Sequence, residues 1–162
     1  MKIIGIDPGL NNTGWGIIEA RENRLSYIAS GVIKPKSKAP MSERLHTIDS
    51  ELEQVIAHFH PEAAAIEETF INKSGSSSLK LGMARGAAFL APARAGLDVA
   101  EYSANAIKKS VVGAGHADKN QIQMMVKILL PKADFTNADA ADALAIAICH
   151  AHHYPYAKRI AV

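Results

Sequence analysis

The stretch from Thr136 to Ile148, TNADAADALAIAI, holds two aspartates in an otherwise apolar segment. From Ala138 onward every residue of this stretch except Asp139 and Asp142 is Ala, Leu or Ile, so a helix here is apolar on nearly all sides and should be buried. Residues three apart lie on one helix face, so both carboxylates can contact the same partner. A buried carboxylate without a partner costs several kcal/mol. A positive group must therefore lie against this pair.

A structural role explains only one of the two acids. Thr136 capping the helix, with Asp139 closing a capping box, would place Asp139 where the helix dipole favours an acid. Asp142 lies almost a turn deeper, where the dipole has faded, and the sequence offers no Arg or Lys within a turn of either acid. A divalent cation is the simplest partner, and its other ligands must come from elsewhere in the chain.

Length and composition favour one globular unit. The 162 residues are 48% hydrophobic, which suits a single domain over residues 1–162. The net charge of +2 is compatible with a polyanionic partner but does not require one. The single Cys149 excludes a disulfide within the chain and is typical of a packing thiol in a reducing compartment. No signal segment or long apolar run is found, so we expect a cytoplasmic protein with no membrane association.

Two predicted strands end in acids. Ile3, Ile4 and Ile6 form an apolar run that stops at Asp7, and Pro8 keeps Asp7 extended at the strand tip. A second short run, residues 63–66, stops at Glu67 in the same way. Further β-rich segments, residues 13–19 and 25–33, complete an antiparallel meander with the first strand.

Helical segments separate the later strands. The spacing of apolar residues predicts helices over residues 41–59, 79–94, 104–112 and 119–130, a strand over 97–102, and a Ser/Gly-rich mobile loop over 70–78. This order predicts an α/β fold with a mixed five-stranded sheet and helices on its faces. The acidic helix comes last and should carry its carboxylates to the tips of strands one and four.

Four acids interrupt runs that otherwise predict burial: Asp7, Glu67, Asp139 and Asp142. Taken singly, Asp7 could be a turn acid before proline and Glu67 a strand-end acid beside Glu68. Together they would form an all-oxygen site for hard cations such as Mg²⁺ or Mn²⁺. Two ions roughly 4 Å apart can clamp the attacking and leaving oxygens of a phosphodiester. The pattern therefore favours a nuclease.

The motifs resemble a known family. Together they are similar to the RuvC family of Holliday-junction resolvases from residue 2 to about residue 150. The segments that carry the resemblance are GIDPG (5–9), TGWG (13–16), AIE (65–67), LKLG (79–82), ARG (84–86), KKSVVG (108–113) and ADAADALAIA (138–147).

This resemblance implies an RNase H-like fold, a homodimer, and Mg²⁺-dependent cleavage of four-way junction DNA during recombination and repair. Paired nicks in strands of like polarity would leave 5′-phosphate and 3′-hydroxyl ends. The catalytic and metal-binding residues would be Asp7, Glu67, Asp139 and Asp142. The branch-migration proteins RuvA and RuvB are the implied partners.

A basic strip runs from Ser103 to Ala133, with five lysines against the single acid Asp118. Such a strip suits the DNA backbone without reading sequence. The resemblance places functional lysines at Lys108 and Lys119, and Lys109 is a further candidate for DNA contact. Lys119 would stabilise charge on the scissile phosphate, and Phe70 would stack on an unpaired base at the crossover.

Two other classes of protein remain as alternatives. A small actin-like ATPase would share the Asp-Pro-Gly loop, but no adenosine-binding glycine motif is visible. A non-catalytic junction-binding protein would keep the lysines and have no need of four buried acids. A zinc site at His150, His152 and His153 is disfavoured because residues two apart point away from a common helix face. We expect these histidines at a helix end.

Overall fold

The structure, a computed structural model, describes residues 1–69 and 75–160, the last six of these by their backbone alone. This part of the chain forms five strands and five helices. They are β1 Lys2–Asp7, β2 Thr13–Arg21, β3 Arg24–Ile33, α1 Met41–Phe59, β4 Ala63–Glu67, α2 Gly75–Arg94, β5 Val99–Tyr102, α3 Ala104–Val112, α4 Lys119–Leu129 and α5 Ala138–Ile160.

The strands form one five-stranded sheet in the order β3-β2-β1-β4-β5. β1, β2 and β3 pair antiparallel, whereas β4 pairs parallel to β1, and β5 parallel to β4. A tight turn suffices between β2 and β3, while the parallel pair β1 and β4 requires the crossover through α1. The predicted mixed sheet is confirmed, and it makes β1 the central strand.

Helices cover both faces of this sheet. Side chains alternate between the faces along each strand. On one face Ile4, Ile6 and Ile66 pack against α1 and α2. On the other face Ile3, Ala63 and residues of β2 and β3 pack against α3, α4 and α5. The two cores therefore share the strands, and the predicted arrangement of helices on both faces is confirmed.

The helix α5 lies almost directly on the backbone of β1 and β2. A Cβ atom at Gly5 would overlap the carbonyl oxygen of Ala143 and lie 2.7 Å from the backbone nitrogen of Ala147. A Cβ atom at Gly14 would overlap the carbonyl oxygen of Asp139. Only glycine permits this approach of backbone to backbone. The start of α5 is therefore fixed against the end of β1.

Several element boundaries differ from the sequence predictions. α2 begins at Gly75, so the predicted loop over residues 70–78 is wrong for its last four positions. Serines resemble loop residues in composition but are well tolerated in a first helical turn, where they can bond nearby backbone groups. β5 begins at Val99, two residues later than predicted. α5 continues to Ile160, so the three histidines lie within the helix and not at its end.

Candidate functional site

The first two candidate acids lie at the ends of neighbouring parallel strands. Ile3 and Gly5 face α5, and the alternation of side chains places Asp7 on the same face. Ala65 likewise faces α5, which places Glu67 there too. Ile6 pairs with Ile66, and Asp7 and Glu67 are the next residue on each strand. The two acids therefore lie side by side on neighbouring strands about 4.8 Å apart.

The other two acids come from the first turns of α5. The side chain of Asn137 accepts a hydrogen bond of 2.7 Å from the backbone N–H of Asp139 and so caps the helix. Asn137 therefore has the capping role that the sequence suggested for Thr136. Gly14, which lies under the Asp139 carbonyl, is the β2 partner of Asp7. Asp139 and Asp142 therefore lie beside the end of β1.

All four carboxylates line one cavity of about 450 Å³, which we call the acidic cavity. Lys108 and Lys119 also line it, with Asp118 and apolar side chains that include Ile107 and Ile122. Lys109 does not line it, and a Cβ atom built at Gly115 would lie 3.3 Å from the Lys109 side chain. Phe70 falls outside the described residues. The structure therefore brings together six of the eight candidate residues.

Burial and mutual repulsion favour the protonated form of three of these acids. Burial raises the pKa of Asp7 to about 8, and the charges of Asp142, Glu67 and Asp139 add to the shift, which Lys119 opposes. Burial and then Asp142 raise the pKa of Glu67, against the lowering effect of the two lysines. Burial also raises the pKa of Asp142, with Lys119 opposing and Asp139 adding. The cavity is therefore short of positive charge.

Lys119 supplies only part of the missing charge. Its Nζ lies 3.9 Å from Oδ2 of Asp142, the single ion pair that the four carboxylates make within the described ranges. The side chain of Lys119 is 77% exposed, and ion pairs of such exposed groups contribute only about 0–1 kcal/mol. Lys119 opens α4 directly after Asp118, which forms a capping box with Gln121. The lysine is thus held at the mouth of the cavity.

The donor set fits a hard divalent cation. Carboxylate oxygens are the ligands that Mg²⁺ and Mn²⁺ prefer, and a cation would offset both the burial and the repulsion that raise the three pKa values. Among residues 1–69 and 75–160, however, no three His, Cys, Asp or Glu side chains are grouped closely enough to enclose an ion. An ion held by three of these carboxylates would therefore require them to lie closer together.

Arg85 supports the site from α2 and was not identified from the sequence. Its Nε donates to the backbone carbonyl of Glu67 at 3.4 Å, and its Nη2 forms an ion pair with Glu101 of β5. The guanidinium also lies 4.8 Å from the ring centre of Phe89. These contacts fix the backbone at Glu67. The sequence shows Ala84-Arg85-Gly86, but nothing in that motif indicates a contact 18 residues away.

The C-terminal histidines make separate contacts. Tyr102 Oη lies 2.9 Å from Nδ1 of His150, and Ser110 Oγ lies 2.9 Å from Nδ1 of His152. Nδ1 of His153 lies 2.8 Å from the carbonyl oxygen of Cys149. Burial raises the pKa of Cys149 to about 11, as expected for a packing thiol. No metal-binding group of these side chains is formed in the part of the chain that the structure describes.

Comparisons with known proteins identify the family. A family model described as crossover junction endodeoxyribonuclease RuvC matches residues 3–150. The protein of that name from Rhodopseudomonas palustris strain BisA53 is 59% identical over 99% of this chain and 92% of its own length. The Bradyrhizobium diazoefficiens protein of the same name is 61% identical over 94% of this chain and 87% of its own.

Solved structures agree with this result. Thermus thermophilus RuvC has 33% sequence identity and a TM-score of 0.86, covering 97% of both chains. The same bacterium's RuvC in complex with a Holliday junction substrate has 32% identity and a TM-score of 0.91, covering 97% of this chain and 96% of that one. Within the described residues no helix is both long and apolar enough to span a membrane. The chain belongs to the RuvC family of crossover junction endodeoxyribonucleases.

Proposed function

We propose that this protein is a metal-dependent endonuclease that resolves Holliday junctions during recombination and DNA repair. It nicks two strands of like polarity and leaves 5′-phosphate and 3′-hydroxyl ends. The observation that carries the proposal is the meeting of four carboxylates from β1, β4 and α5 in the acidic cavity. The raised pKa values of Asp7, Glu67 and Asp142 indicate a site that needs an added positive charge.

The four carboxylates, Asp7, Glu67, Asp139 and Asp142, are the proposed catalytic and metal-binding residues. They would hold two Mg²⁺ ions per subunit, for which Mn²⁺ can substitute. When bound, such ions activate water and stabilise the charge on the leaving oxygen. Asp7 must release its proton for this role, so binding of the cation is coupled to deprotonation of Asp7.

The lysines of the cavity are proposed to act on the DNA. Lys119 lies at the mouth of the cavity, where its charge can stabilise the phosphate as negative charge develops. Lys108 lines the same cavity and would hold the adjacent DNA backbone. Lys109, exposed in the last turn of α3, would bind backbone phosphate outside the cavity. Phe70 follows Glu67 by three residues and is proposed to stack on an unpaired base.

We propose that two copies of the chain form the active homodimer. The outward face of α2 carries Leu79, Met83 and Leu90, whose exposed fractions are 62%, 39% and 50%. Gly82 and Gly86 lie on the same helix, and no other described part of the chain lies within 4 Å of a Cβ atom built at either. A self-complementary apolar face of this kind suits a two-fold dimer. Such a dimer would match the approximate two-fold symmetry of a four-way junction.

The remaining proposals follow from family membership. Residues 1–162 would form a single nuclease domain that works in the cytoplasm with the branch-migration proteins RuvA and RuvB. Binding to either protein can be measured by co-sedimentation with the purified full chain in the presence of junction DNA.

The test of the proposed chemistry is substitution at Glu67 and Asp142. Glu67→Gln and Asp142→Asn each keep the side-chain shape and remove a charge, so cleavage of a four-way junction in Mg²⁺ should fall by roughly 10³-fold or more. Junction binding in a chelator should persist. Glu68→Gln is the matched control because Glu68 does not line the acidic cavity, and it should cleave like the original protein.

Three DNA substrates and one nucleotide distinguish the alternative functions. Supercoiled, linear and four-way DNA are each incubated with Mg²⁺ or with chelator, and labelled ATP is incubated separately. Cleavage confined to four-way DNA and dependent on Mg²⁺ supports the resolvase. Unimpaired cutting by Glu67→Gln would remove the assigned site. Junction binding without any cutting would favour the non-catalytic protein, and ATP hydrolysis without DNA cleavage would favour the ATPase.

A further inference from the structure

A second cavity, of about 280 Å³, lies beyond the same end of β1 but on the α1 and α2 side of the sheet. Its walls come from the loop after β1, the first turn of α1 and the N-terminal turns of α2. We call it the basic cavity, and its lining residues are Leu10, Asn11, Arg44, Ser77, Lys80 and Leu81. Two of these are cationic and none is acidic, in contrast to the acidic cavity.

Among the described residues no carboxylate pairs with either cation of the basic cavity. Nη2 of Arg44 donates to the carbonyl of Leu10 at 3.1 Å and to Oδ1 of Asn11 at 2.6 Å, both neutral acceptors. Within the described ranges neither Arg44 nor Lys80 forms an ion pair, whereas three other arginines, Arg21, Arg85 and Arg94, all do. Residues 70–74 and 155–162 contain no Asp or Glu that could supply one.

Three side chains of the basic cavity offer further N–H donors. Nε of Arg44 is buried without a partner among the residues described. Because Oδ1 of Asn11 already accepts from Arg44, its amide N–H groups remain as donors. Lys80 is exposed and adds three more N–H donors. Two charges with a surplus of donors match an anion with several acceptor oxygens, such as phosphate, whose geometry suits the arginine guanidinium.

The position of the cavity relative to Asp7 indicates which phosphate it would hold. Leu10 and Asn11 follow Asp7 by three and four residues, so they lie within about 15 Å of it at roughly 3.3–3.6 Å per residue. One DNA strand carries a phosphate every 3.4 Å or so of helix axis. A strand whose scissile bond occupies the acidic cavity can therefore reach the basic cavity within a few nucleotides.

We propose that the basic cavity binds a backbone phosphate of the junction strand being cut, a few nucleotides from the scissile bond. This inference rests on the proposed nuclease function, since it takes the acidic cavity as the place of cleavage. Arg44 and Lys80 are the phosphate-binding residues, and the loop that follows Asp7 is fixed to them through Leu10 and Asn11. Binding of the phosphate would thus position the strand relative to Asp7.

The test measures junction affinity without cleavage. Dissociation constants are measured for the full chain in a chelator, over a series of KCl concentrations. Lys80→Gln should weaken binding severalfold at moderate salt and reduce the slope of log K against log salt by about 0.9, the value for one lost phosphate contact. Arg44→Lys should keep the slope of the original protein but bind the junction more weakly, because a lysine ammonium replaces a guanidinium that can donate two parallel hydrogen bonds.

Arg24→Gln is the matched control. Arg24 is an exposed cation at the turn between β2 and β3, at the opposite end of the sheet, so its loss should leave affinity and slope nearly unchanged. Equal affinity and equal slope for Lys80→Gln and Arg24→Gln would overturn the proposal. Melting curves check that Arg44→Lys is folded, and the exposed Lys80 provides the variant that does not disturb the β1–β2 loop.

A titration with inorganic phosphate separates the two sources of the anion. Phosphate that binds the original protein but not Lys80→Gln, while both bind the junction equally, would assign the cavity to free phosphate and overturn the DNA contact. The nuclease assignment is tested separately, and it fails if Glu67→Gln still cleaves the junction. Affinities measured in a chelator do not depend on that result.

Discussion

Helices α5 and α2 both rely on small residues, yet these residues have opposite effects. From Ala140 to Cys149 every residue of α5 except Asp142 is buried, and glycines of the facing strands let its backbone touch the sheet. The buried residues of α2 are four alanines and Pro92, whereas no other described part of the chain lies within 4 Å of a Cβ atom built at Gly82 or Gly86. Small residues between a helix and a sheet bring backbones together. On an outer face they leave a flat surface that another molecule can cover.

The difference separates a positioning role from an assembly role. The close approach at Gly5 and Gly14 fixes the first turns of α5, and with them Asp139 and Asp142, against the end of β1. The glycines of α2 position nothing within the chain. Substitutions on the two helices should therefore damage different properties, and the following predictions test this.

The largest effect is expected for Gly5→Ala. The added methyl group meets the backbone of Ala143 and Ala147, which cannot move without moving α5. The free energy of unfolding should fall by roughly 1–3 kcal/mol or more, and a displacement of about 1 Å at the acids should slow cleavage by about 100-fold. Urea unfolding and junction cleavage by the same preparation measure both effects.

Gly82→Ala is the control for Gly5→Ala, because it adds the same methyl group where nothing lies within 4 Å. In the interior of a helix this change should stabilise the folded chain by roughly 0.5–1 kcal/mol. Equal destabilisation by the two substitutions would show that the contact between α5 and the sheet does not distinguish these glycines.

The next effect concerns assembly. Leu90→Glu places a charge on the outward face of α2, where the leucine side chain is 50% exposed. The folded chain should keep its melting behaviour. The dissociation constant of the proposed dimer should rise at least tenfold, because burying a charge at an interface is unfavourable. Analytical ultracentrifugation measures the association, and junction cleavage should change from paired to single nicks.

Met124→Glu is the matched control for the dimer prediction. Met124 is 56% exposed on α4, so the change alters a similar apolar surface away from α2. If Met124→Glu dissociates the dimer and Leu90→Glu does not, the interface lies on α4 and the proposed face is wrong.

A smaller effect is the pH dependence of the free energy of unfolding, which the acidic cavity should cause. The pKa of Asp7 is about 8 in the folded chain against an ordinary value of 3.8, so the folded state keeps a proton that the unfolded state releases. Stability without metal must therefore fall as the pH rises from about 4 to about 8. Between pH 6 and pH 8 the free energy of unfolding should drop by about 2 kcal/mol, at about 1.4 kcal/mol per pKa unit.

Urea unfolding in a chelator at pH 6, 7 and 8 measures this dependence. Asp7→Asn should remove most of it, since the neutral amide does not titrate, and saturating Mg²⁺ should have the same effect. Asp134→Asn serves as the control because Asp134 is exposed and outside the cavity. A pH dependence that survives in Asp7→Asn would contradict the assignment of the buried proton.

Local patterns allowed much of this architecture to be predicted. The apolar runs that stop at Asp7 and Glu67 predicted two strand ends, and the spacing of Asp139 and Asp142 predicted a shared helix face. These predictions succeeded because burial alternates with period two in strands and about 3.6 in helices. The order of all ten elements followed from the same patterns and is confirmed.

Contacts between distant residues could not be predicted in this way. Arg85 meets the Glu67 carbonyl across 18 residues, and Gly5 meets α5 across well over 100. Both contacts depend on how the elements pack, which no local pattern encodes. Asn137 caps α5, whereas the sequence also allowed a cap at Thr136, and this difference has a related cause, since cap positions are set by one or two residues of backbone geometry.

The pairing of Ile6 with Ile66 limits how this chain can change its length. Side chains change face at every step along a strand, so inserting or deleting one residue within β1 or β4 would turn Asp7 or Glu67 toward α1 and α2. The fold could absorb such a change by sliding one strand past its neighbour, whereas the pair of acids would be split between opposite sides of the sheet. Insertions should therefore be tolerated in the turns and excluded from these two strands.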